Sequence, residues 1–162
     1  MKYLTLGGNK ILKVGGLSKL INLGKLILEK NAIREIKGLE NLSNLWELNL
    51  NENQIAEIKG LDNLYKLETL YLNKNKIKKI EGFQSLSKLY ELFLNQNEIS
   101  DITGLKDLKS IVEVELMKNQ INDATWFIEQ NDCPFLNEVY LWGNPIPENQ
   151  FEKLKKRYVV ES

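Results

Sequence analysis

The sequence predicts a single solenoid of seven coils whose strands stack into one parallel sheet. Three observations predict it: an apolar pattern that recurs every 22 residues, a column of asparagines at the same period, and a glycine column in the second half of the period. A fixed period of this length indicates a repeat architecture, because each unit buries its apolar face only against its neighbours.

The apolar pattern is clearest at residues 67–77, LETLYLNKNKI. It has the order L-x-x-L-x-L-x-x-N-x-I, which recurs at residues 45–55 and 89–99. The L-x-L piece alternates apolar and variable residues, as a short strand with one buried face does. Strands that recur at each period predict a parallel sheet over a continuous core.

The asparagine column marks seven units. Its first six members are 22 residues apart and the seventh follows after 25, so three residues are inserted before the last unit. An amide at an inward bend of every coil can bond backbone groups that the bend leaves unpaired. We therefore expect a structural ladder between coils rather than seven ligand sites. The ladder residues are Asn9, Asn31, Asn53, Asn75, Asn97, Asn119 and Asn144.

A glycine followed by Leu or Phe opens the second half of the first five units. Glycine permits a tight or positive-φ backbone at a bend. The G-L-x-x-L spacing then predicts a 3₁₀ or short helical turn opposite the strand. In the sixth unit ATWFIEQ replaces this segment, and we expect one or two α-helical turns there, capped by Asn122 or Asp123.

The whole unit, L-x-x-L-x-L-x-x-N-x-I-x-x-I-x-G-L-x-x-L, resembles the SDS22-like class of leucine-rich repeats over residues 1–146. That class includes a phosphatase-1 regulator, an axonemal dynein light chain and, more distantly, bacterial internalins. The resemblance implies an α/β fold: a right-handed β/α solenoid with a parallel concave sheet and 3₁₀ or short helices on the convex side. It also implies that the concave sheet binds protein.

Residues 1–162 are expected to form one leucine-rich-repeat domain, with repeats at 1–146 and a helical C-terminal cap at 147–162. The cap is predicted from the helical spacing of Phe151, Leu154 and Tyr158 within residues 151–160. The first unit starts directly at a strand, so we expect a partial and uncapped first coil. An uncovered strand edge invites pairing, which makes self-association through this coil an open alternative.

The composition argues against several functional classes. Lys+Arg and Asp+Glu are both 22, so the balance of charge indicates neither a nucleic-acid nor a membrane partner. The chain has no histidine, which is the commonest general base, and no phosphate-cradling or nucleophile-elbow motif. We expect no enzymatic activity, no cofactor and no metal. The lone Cys133 suits a reducing, cytoplasmic compartment, unless a targeting signal lies upstream.

Function is expected on the outward-facing strand positions, because the inward ones build the coil. Aromatic residues and carboxylates gather there on the later strands, a combination typical of protein interfaces. It suits a partner with a basic or mixed surface and apolar anchors. A solvated sheet without a partner is the alternative. The predicted partner-binding residues are Trp46, Glu47, Tyr71, Tyr90, Glu91, Phe93, Glu113, Glu115, Met117, Glu138, Tyr140 and Trp142.

These observations predict a protein–protein interaction module, with the SDS22-like class implying an intracellular regulator or scaffold. Two alternatives stay open. One is an internalin-like bacterial surface adhesin, which an upstream signal peptide and helical cap would favour. The other is a self-assembling structural repeat that uses the first coil.

Overall fold

The computed structural model describes residues 1–159, and these form seven parallel strands in one sheet, in chain order. Each strand is three residues long and belongs to one coil of a solenoid, which confirms the predicted fold. The strands are β1 (Tyr3–Thr5), β2 (Lys25–Ile27), β3 (Glu47–Asn49), β4 (Thr69–Tyr71), β5 (Glu91–Phe93), β6 (Glu113–Glu115) and β7 (Glu138–Tyr140).

Equivalent positions of successive coils pair directly across the sheet. Leu48, for example, pairs with Leu26 on one side and Leu70 on the other. From β2 onward the central residue of each strand is buried and carries the core, whereas the flanking residues are mostly only half-buried. The pleat therefore gives each strand one inward and two outward side chains.

The side opposite the sheet is built from tight turns. Leu20 donates its backbone amide to Leu17 at 2.8 Å, and Leu42 donates to Leu39 at 2.9 Å. The same i→i+3 bond recurs in the next three coils, and the fifth coil contains a 3₁₀ helix, Thr103–Asp107. Leucines three residues apart thus form the turns that the sequence predicted.

A short helix, α1 (Thr125–Glu129), occupies the longer sixth unit as expected, but its cap differs from the prediction. The N-cap position is Ala124, which makes no side-chain cap bond. The Asp123 carboxylate, just before that position, instead accepts the amide of Thr125 at 2.9 Å, the i→i+2 bond of an Asx turn. The Ala124 amide donates to Gln150 at 2.7 Å.

The second helix, α2 (Glu148–Leu154), starts earlier and ends earlier than the predicted helical segment 151–160. Pro147 precedes it, and the fixed φ of proline favours a helix start. Val159 is not helical: it accepts a bond from the Val139 amide at 3.1 Å and donates to Asn137 at 2.9 Å. This bridge lies along the free edge of β7. Residues 160–162 of the predicted cap lie outside the described residues.

Two buried side chains join the C-terminal segment to α1. Leu154 and Tyr158 are buried, and the Tyr158 hydroxyl donates to the Phe127 carbonyl at 2.8 Å. The Gln130 amide donates to the same hydroxyl at 2.8 Å. At the other end of the sheet, β1 pairs with β2 alone within residues 1–159. None of the helices in this range is long and apolar enough to cross a membrane.

Candidate protein-binding surface on the strand face

The outward residues of the seven strands form one continuous surface, which we call the strand face. One column on it contains the first residue of each strand and a second column contains the third. The first column is Tyr3, Lys25, Glu47, Thr69, Glu91, Glu113 and Glu138; the second is Thr5, Ile27, Asn49, Tyr71, Phe93, Glu115 and Tyr140.

An aromatic pair lies at the middle of the second column. The rings of Tyr71 and Phe93 stack with centroids 4.6 Å apart and planes within 6° of parallel. This separation is close to the strand spacing of about 4.8 Å, so the rings stack along the direction from one strand to the next. Both side chains are half-buried. The pair is thus a preformed, partly exposed apolar element.

Three aromatic residues at the rim of the strand face, Trp46, Tyr90 and Trp142, differ in their exposure to solvent. Trp142 is 49% exposed, with the Lys118 ammonium 4.8 Å from its ring centroid, and Tyr90 is also exposed. Trp46 is half-buried because its ring packs edge-on against Tyr3 at 6.4 Å and over Gly24, where a Cβ would overlap the indole. Trp46 therefore has a packing role in addition to its place at the rim.

A row of carboxylates runs along the first column on β5–β7. Glu91, Glu113 and Glu138 are direct register partners on neighbouring strands. Glu91 accepts the Thr69 hydroxyl at 3.0 Å and Glu138 accepts the Tyr140 hydroxyl at 3.1 Å.

Glu113, in the middle of the row, has no ion pair or side-chain hydrogen bond to any residue that the structure describes. Partial burial raises the pKa of Glu113, and the charges of Glu138, Glu115 and Glu91 raise it further. Burial also raises the pKa of Tyr71, with the charges of Glu47 and Glu91 adding to it.

Among the outward strand positions, positive charge is found only on the other half of the face. Lys25 on β2 pairs with Glu47 on β3 at 2.7 Å, so this carboxylate is neutralised locally. The outward positions of β4–β7 contain no lysine or arginine. The strand face is therefore electrically divided, with uncompensated negative charge beside the aromatic pair.

A second asparagine ladder follows the strands, and sequence reasoning missed it. Asn73 and Asn95 donate their backbone amides to the side-chain oxygens of Asn51 and Asn73, each at 2.7 Å. Met117 does the same to Asn95 at 2.7 Å. The strand pattern alone predicts variable, outward-facing side chains at these positions. The available signal was one residue type at a 22-residue spacing in three consecutive units.

The main asparagine column lies away from the strand face and joins coils. The Asn75 oxygen accepts the amide of Ile55 at 3.0 Å, and its nitrogen donates to the carbonyls of Leu50 and Leu72 at 3.0 and 3.1 Å. The same pattern recurs at the other members from the second coil onward. Asn9 bonds only within its own loop.

Two chemical features bear on catalysis. Burial raises the pKa of the Cys133 thiol to about 11, and its sulfur donates to the Leu105 carbonyl at 3.3 Å. A thiol with a raised pKa is a poor nucleophile at neutral pH. Within residues 1–159, no group of three or more Cys, Asp or Glu side chains is arranged to hold a metal ion.

Comparison with known proteins gives consistent matches. Residues 43–85 and 65–107 match the family model "Leucine Rich repeats (2 copies)". A search of curated protein sequences gives no match.

Among solved structures, an internalin (inlF) of Listeria monocytogenes aligns with the whole chain at 26% identity and a TM-score of 0.82, over 54% of its own length. A leucine-rich-repeat protein of Leptospira interrogans aligns with the whole chain at 26% identity and 0.85, over 43% of its length. Internalin C2 of Listeria monocytogenes aligns with 98% of the chain at 26% identity and 0.71, over 79% of its length.

The chain spans about half of the first of these proteins and less than half of the second. Solenoids of this kind expose extended surfaces for protein binding and are typically non-enzymatic scaffolds. From the repeat match and the likeness of the whole fold, the chain carries leucine-rich repeats and folds as a leucine-rich-repeat solenoid.

Proposed function

We propose that this chain is a non-enzymatic module that binds a protein partner on its strand face. The observation that carries the proposal is the stacked pair of Tyr71 and Phe93 beside the uncompensated row of Glu91, Glu113 and Glu138. Aromatic anchors are enriched among residues that dominate binding energy at interfaces. The partner is a protein with a basic or mixed surface and apolar anchors.

The carboxylate row is hard to explain by folding alone. Like charges directly opposite each other on neighbouring strands destabilise a sheet. The Glu113 carboxylate has no hydrogen-bond donor among residues 1–159, and burial together with the neighbouring carboxylates raises its pKa, which disfavours the charged form. Surfaces built for binding often reduce the stability of the folded protein. The row therefore supports a role in recognising positive charge.

The size of the face fits a protein partner. Seven strands at about 4.8 Å spacing extend over roughly 30 Å. That span accommodates an interface of standard size. The repeat pattern supports an SDS22-like regulator or scaffold, and we propose a cytoplasmic location for this role, which a single free and buried cysteine suits.

A second candidate is an internalin-like adhesin of a bacterial surface. The observation that favours it is the alignment of two Listeria internalins with 98–100% of the chain at 26% identity. An upstream signal peptide and helical cap in the complete gene would decide for it. Both candidates bind a protein through the strand face, so they differ in cellular location rather than in mechanism of binding.

Self-assembly through the first coil is the remaining alternative. Leu12 and Ile21 of that region are 63% and 56% exposed, and β1 is 63% exposed at Tyr3. Light scattering of the purified protein over a wide concentration range tests it. A constant monomer mass throughout would rule this alternative out.

The strand-face proposal is tested by affinity capture with the wild type and the double variant Phe93→Ala, Trp142→Ala. Captured proteins are identified by mass spectrometry, and binding of the recovered partner is then measured with purified components. We expect the double variant to lose the partner while its melting temperature falls only slightly, because Trp142 is 49% exposed and Phe93 is half-buried.

The matched control is Tyr65→Ala, Phe135→Ala. Both residues are aromatic and exposed, at 52% and 64%, and neither belongs to a strand. The control should retain the partner. Retention by the strand-face variant, or equal loss in both variants, would contradict the proposed surface.

A further inference from the structure

The geometry points to a specific element of that partner: an arginine side chain that stacks on the Phe93 ring from the β6 side and pairs with the Glu113 carboxylate. This inference rests on the proposed function, because it names the chemistry that the strand face recognises. It also implies that the partner is anchored on the acidic half of the face, above β6.

One face of the Phe93 ring is covered by another ring, and no second ring stacks on its β6 side among residues 1–159. Tyr71 covers the β4 side at 4.6 Å with nearly parallel planes. Because this stack runs from strand to strand, the next stacking position lies above β6. In register with Phe93, β6 carries Glu115 rather than a ring, and among the described residues Phe93 has only Tyr71 as a ring contact.

Carboxylates surround that next stacking position. Glu113 and Glu115 are the two outward residues of β6, and Glu91 and Glu138 flank Glu113 on β5 and β7. Glu115 already accepts the side-chain amide of Asn95. The Glu113 carboxylate has no such donor among residues 1–159, so it is available to a charged donor from outside.

Within residues 1–159, none of these four carboxylates forms an ion pair with a lysine or arginine. Lys25 on β2 is the one lysine at the outward positions of β1–β7. Its ammonium forms an ion pair with the Glu47 carboxylate on β3 at 2.7 Å. A single positive group placed above β6 would meet the field of four carboxylates. Charge complementarity therefore defines the occupant as a cation supplied by the partner.

The combination of a ring face and a carboxylate favours arginine over lysine. A guanidinium is planar, so it stacks on an aromatic face while its in-plane N–H groups donate to a carboxylate in a bidentate pair. A lysine ammonium is a point charge that cannot satisfy both geometries at once. Tyr140, which follows Glu115 in the same column on β7, bounds the position on its far side.

Peptide selection on the purified protein tests the inference. Peptides are selected from a random displayed library, and those that lose binding on Phe93→Ala are synthesised and measured by calorimetry. We expect an arginine in each of them, and replacing it by lysine should weaken binding about tenfold, as should Glu113→Gln, because charge-assisted bidentate bonds are among the stronger hydrogen bonds.

The control variant is Glu57→Gln, which removes an exposed carboxylate outside the strands that pairs with Lys59. It should bind the selected peptides as the wild type does. Binding should also weaken as the pH falls through the pKa of Glu113, because the protonated carboxyl no longer pairs with the guanidinium. The Glu113→Gln variant should show a smaller pH dependence than the wild type.

The outcomes separate the two proposals. Peptides that require Phe93 but bind equally well with lysine, or that are unaffected by Glu113→Gln, overturn the arginine subsite and leave the strand face as the binding surface. A library that yields no peptide dependent on Phe93 overturns both.

Discussion

The backbone amide of Ile55 donates to the side-chain oxygen of Asn75 across the boundary between two coils, at 3.0 Å. The Asn75 nitrogen returns a bond to the Leu50 carbonyl in the same neighbouring coil at 3.0 Å, and one to Leu72 in its own coil at 3.1 Å. With a further bond from its nitrogen to the Asn73 carbonyl at 3.3 Å, one buried amide thus bonds four backbone groups of two neighbouring coils.

Replacing Asn75 with alanine should lower the free energy of unfolding by about 1–3 kcal/mol, the penalty for leaving a buried backbone group unsatisfied. Urea denaturation followed by circular dichroism measures it. Asn9→Ala is the matched control, because Asn9 is exposed and bonds only to its own loop. Equal midpoints for the two variants would show that the inter-coil bonds add nothing.

A left-handed residue precedes each of the middle asparagines of the column. Gln96 has φ of 56° and is exposed. Gln96→Gly should raise the free energy of unfolding by about 1 kcal/mol. This is the balance between left-handed strain of about 1–2 kcal/mol and the extra backbone entropy of glycine, about 0.5–1 kcal/mol.

Lys76→Gly provides the contrast for that substitution in thermal denaturation. Lys76 is exposed but is not among the residues with positive φ. Glycine there should lower stability by about 0.4–1 kcal/mol through the entropy of the unfolded chain. A destabilised Gln96→Gly variant would contradict the assignment of strain at this position.

Close approach, rather than positive φ, requires the glycine at position 104. A Cβ at Gly104 would lie 1.8 Å from the carbonyl oxygen of Ile80, a backbone atom that cannot move aside cheaply. Gly104→Ala should therefore lower the free energy of unfolding by about 1–3 kcal/mol. Gly15→Ala, where nothing lies within 4 Å, should be neutral in the same urea titration.

Glu113→Gln should stabilise the folded protein at neutral pH. Burial and neighbouring carboxylates raise the folded-state pKa of Glu113 above its ordinary 4.5. As pH rises from 4.5 through that raised pKa, the unfolded chain loses this proton first, so stability falls across the window. The variant removes this loss, and its advantage should vanish below pH 4.5.

Unfolding midpoints measured across the acid-to-neutral range compare wild type and variant. Glu57→Gln controls for removal of a carboxylate in general. A variant that is equally or less stable than the wild type at neutral pH would show that the charge of Glu113 is satisfied in the folded state.

Cys133 should react slowly with a thiol reagent in the native protein. The thiol is buried, and its pKa of about 11 leaves little thiolate at pH 8. Denaturant should restore the rate of an ordinary cysteine. Because Cys133 is the only cysteine, the absorbance change of the thiol reagent reports the reaction of this site alone. Rapid modification without denaturant would contradict the burial.

The coil was predictable because its determinants are local and repeated. Leu70 and Asn75 recur in type and spacing in every neighbouring unit, and such columns have few physical explanations other than a stacked core and a backbone-bonding amide. The second ladder at Asn51, Asn73 and Asn95 was missed because those positions follow the strand, where side chains were expected to face outward.

The ends of the chain were less predictable for the opposite reason, since they do not repeat. Val159 was assigned to a helix from its neighbours' spacing, but it pairs with the edge of β7. The unpaired backbone groups of an edge strand can hydrogen-bond to any backbone segment that comes close enough. Side-chain periodicity does not indicate which segment that is.

The sequence by itself determined the repeat, the sheet, the core and the column that outward residues occupy, because burial acts on every unit in the same way. Only the tertiary structure decided which of those outward residues meet. It stacked Tyr71 on Phe93, packed Trp46 over Gly24 and set Glu113 between the carboxylates of Glu91 and Glu138. These relationships join residues about one coil apart, and they depend on side-chain conformations that no periodic pattern specifies.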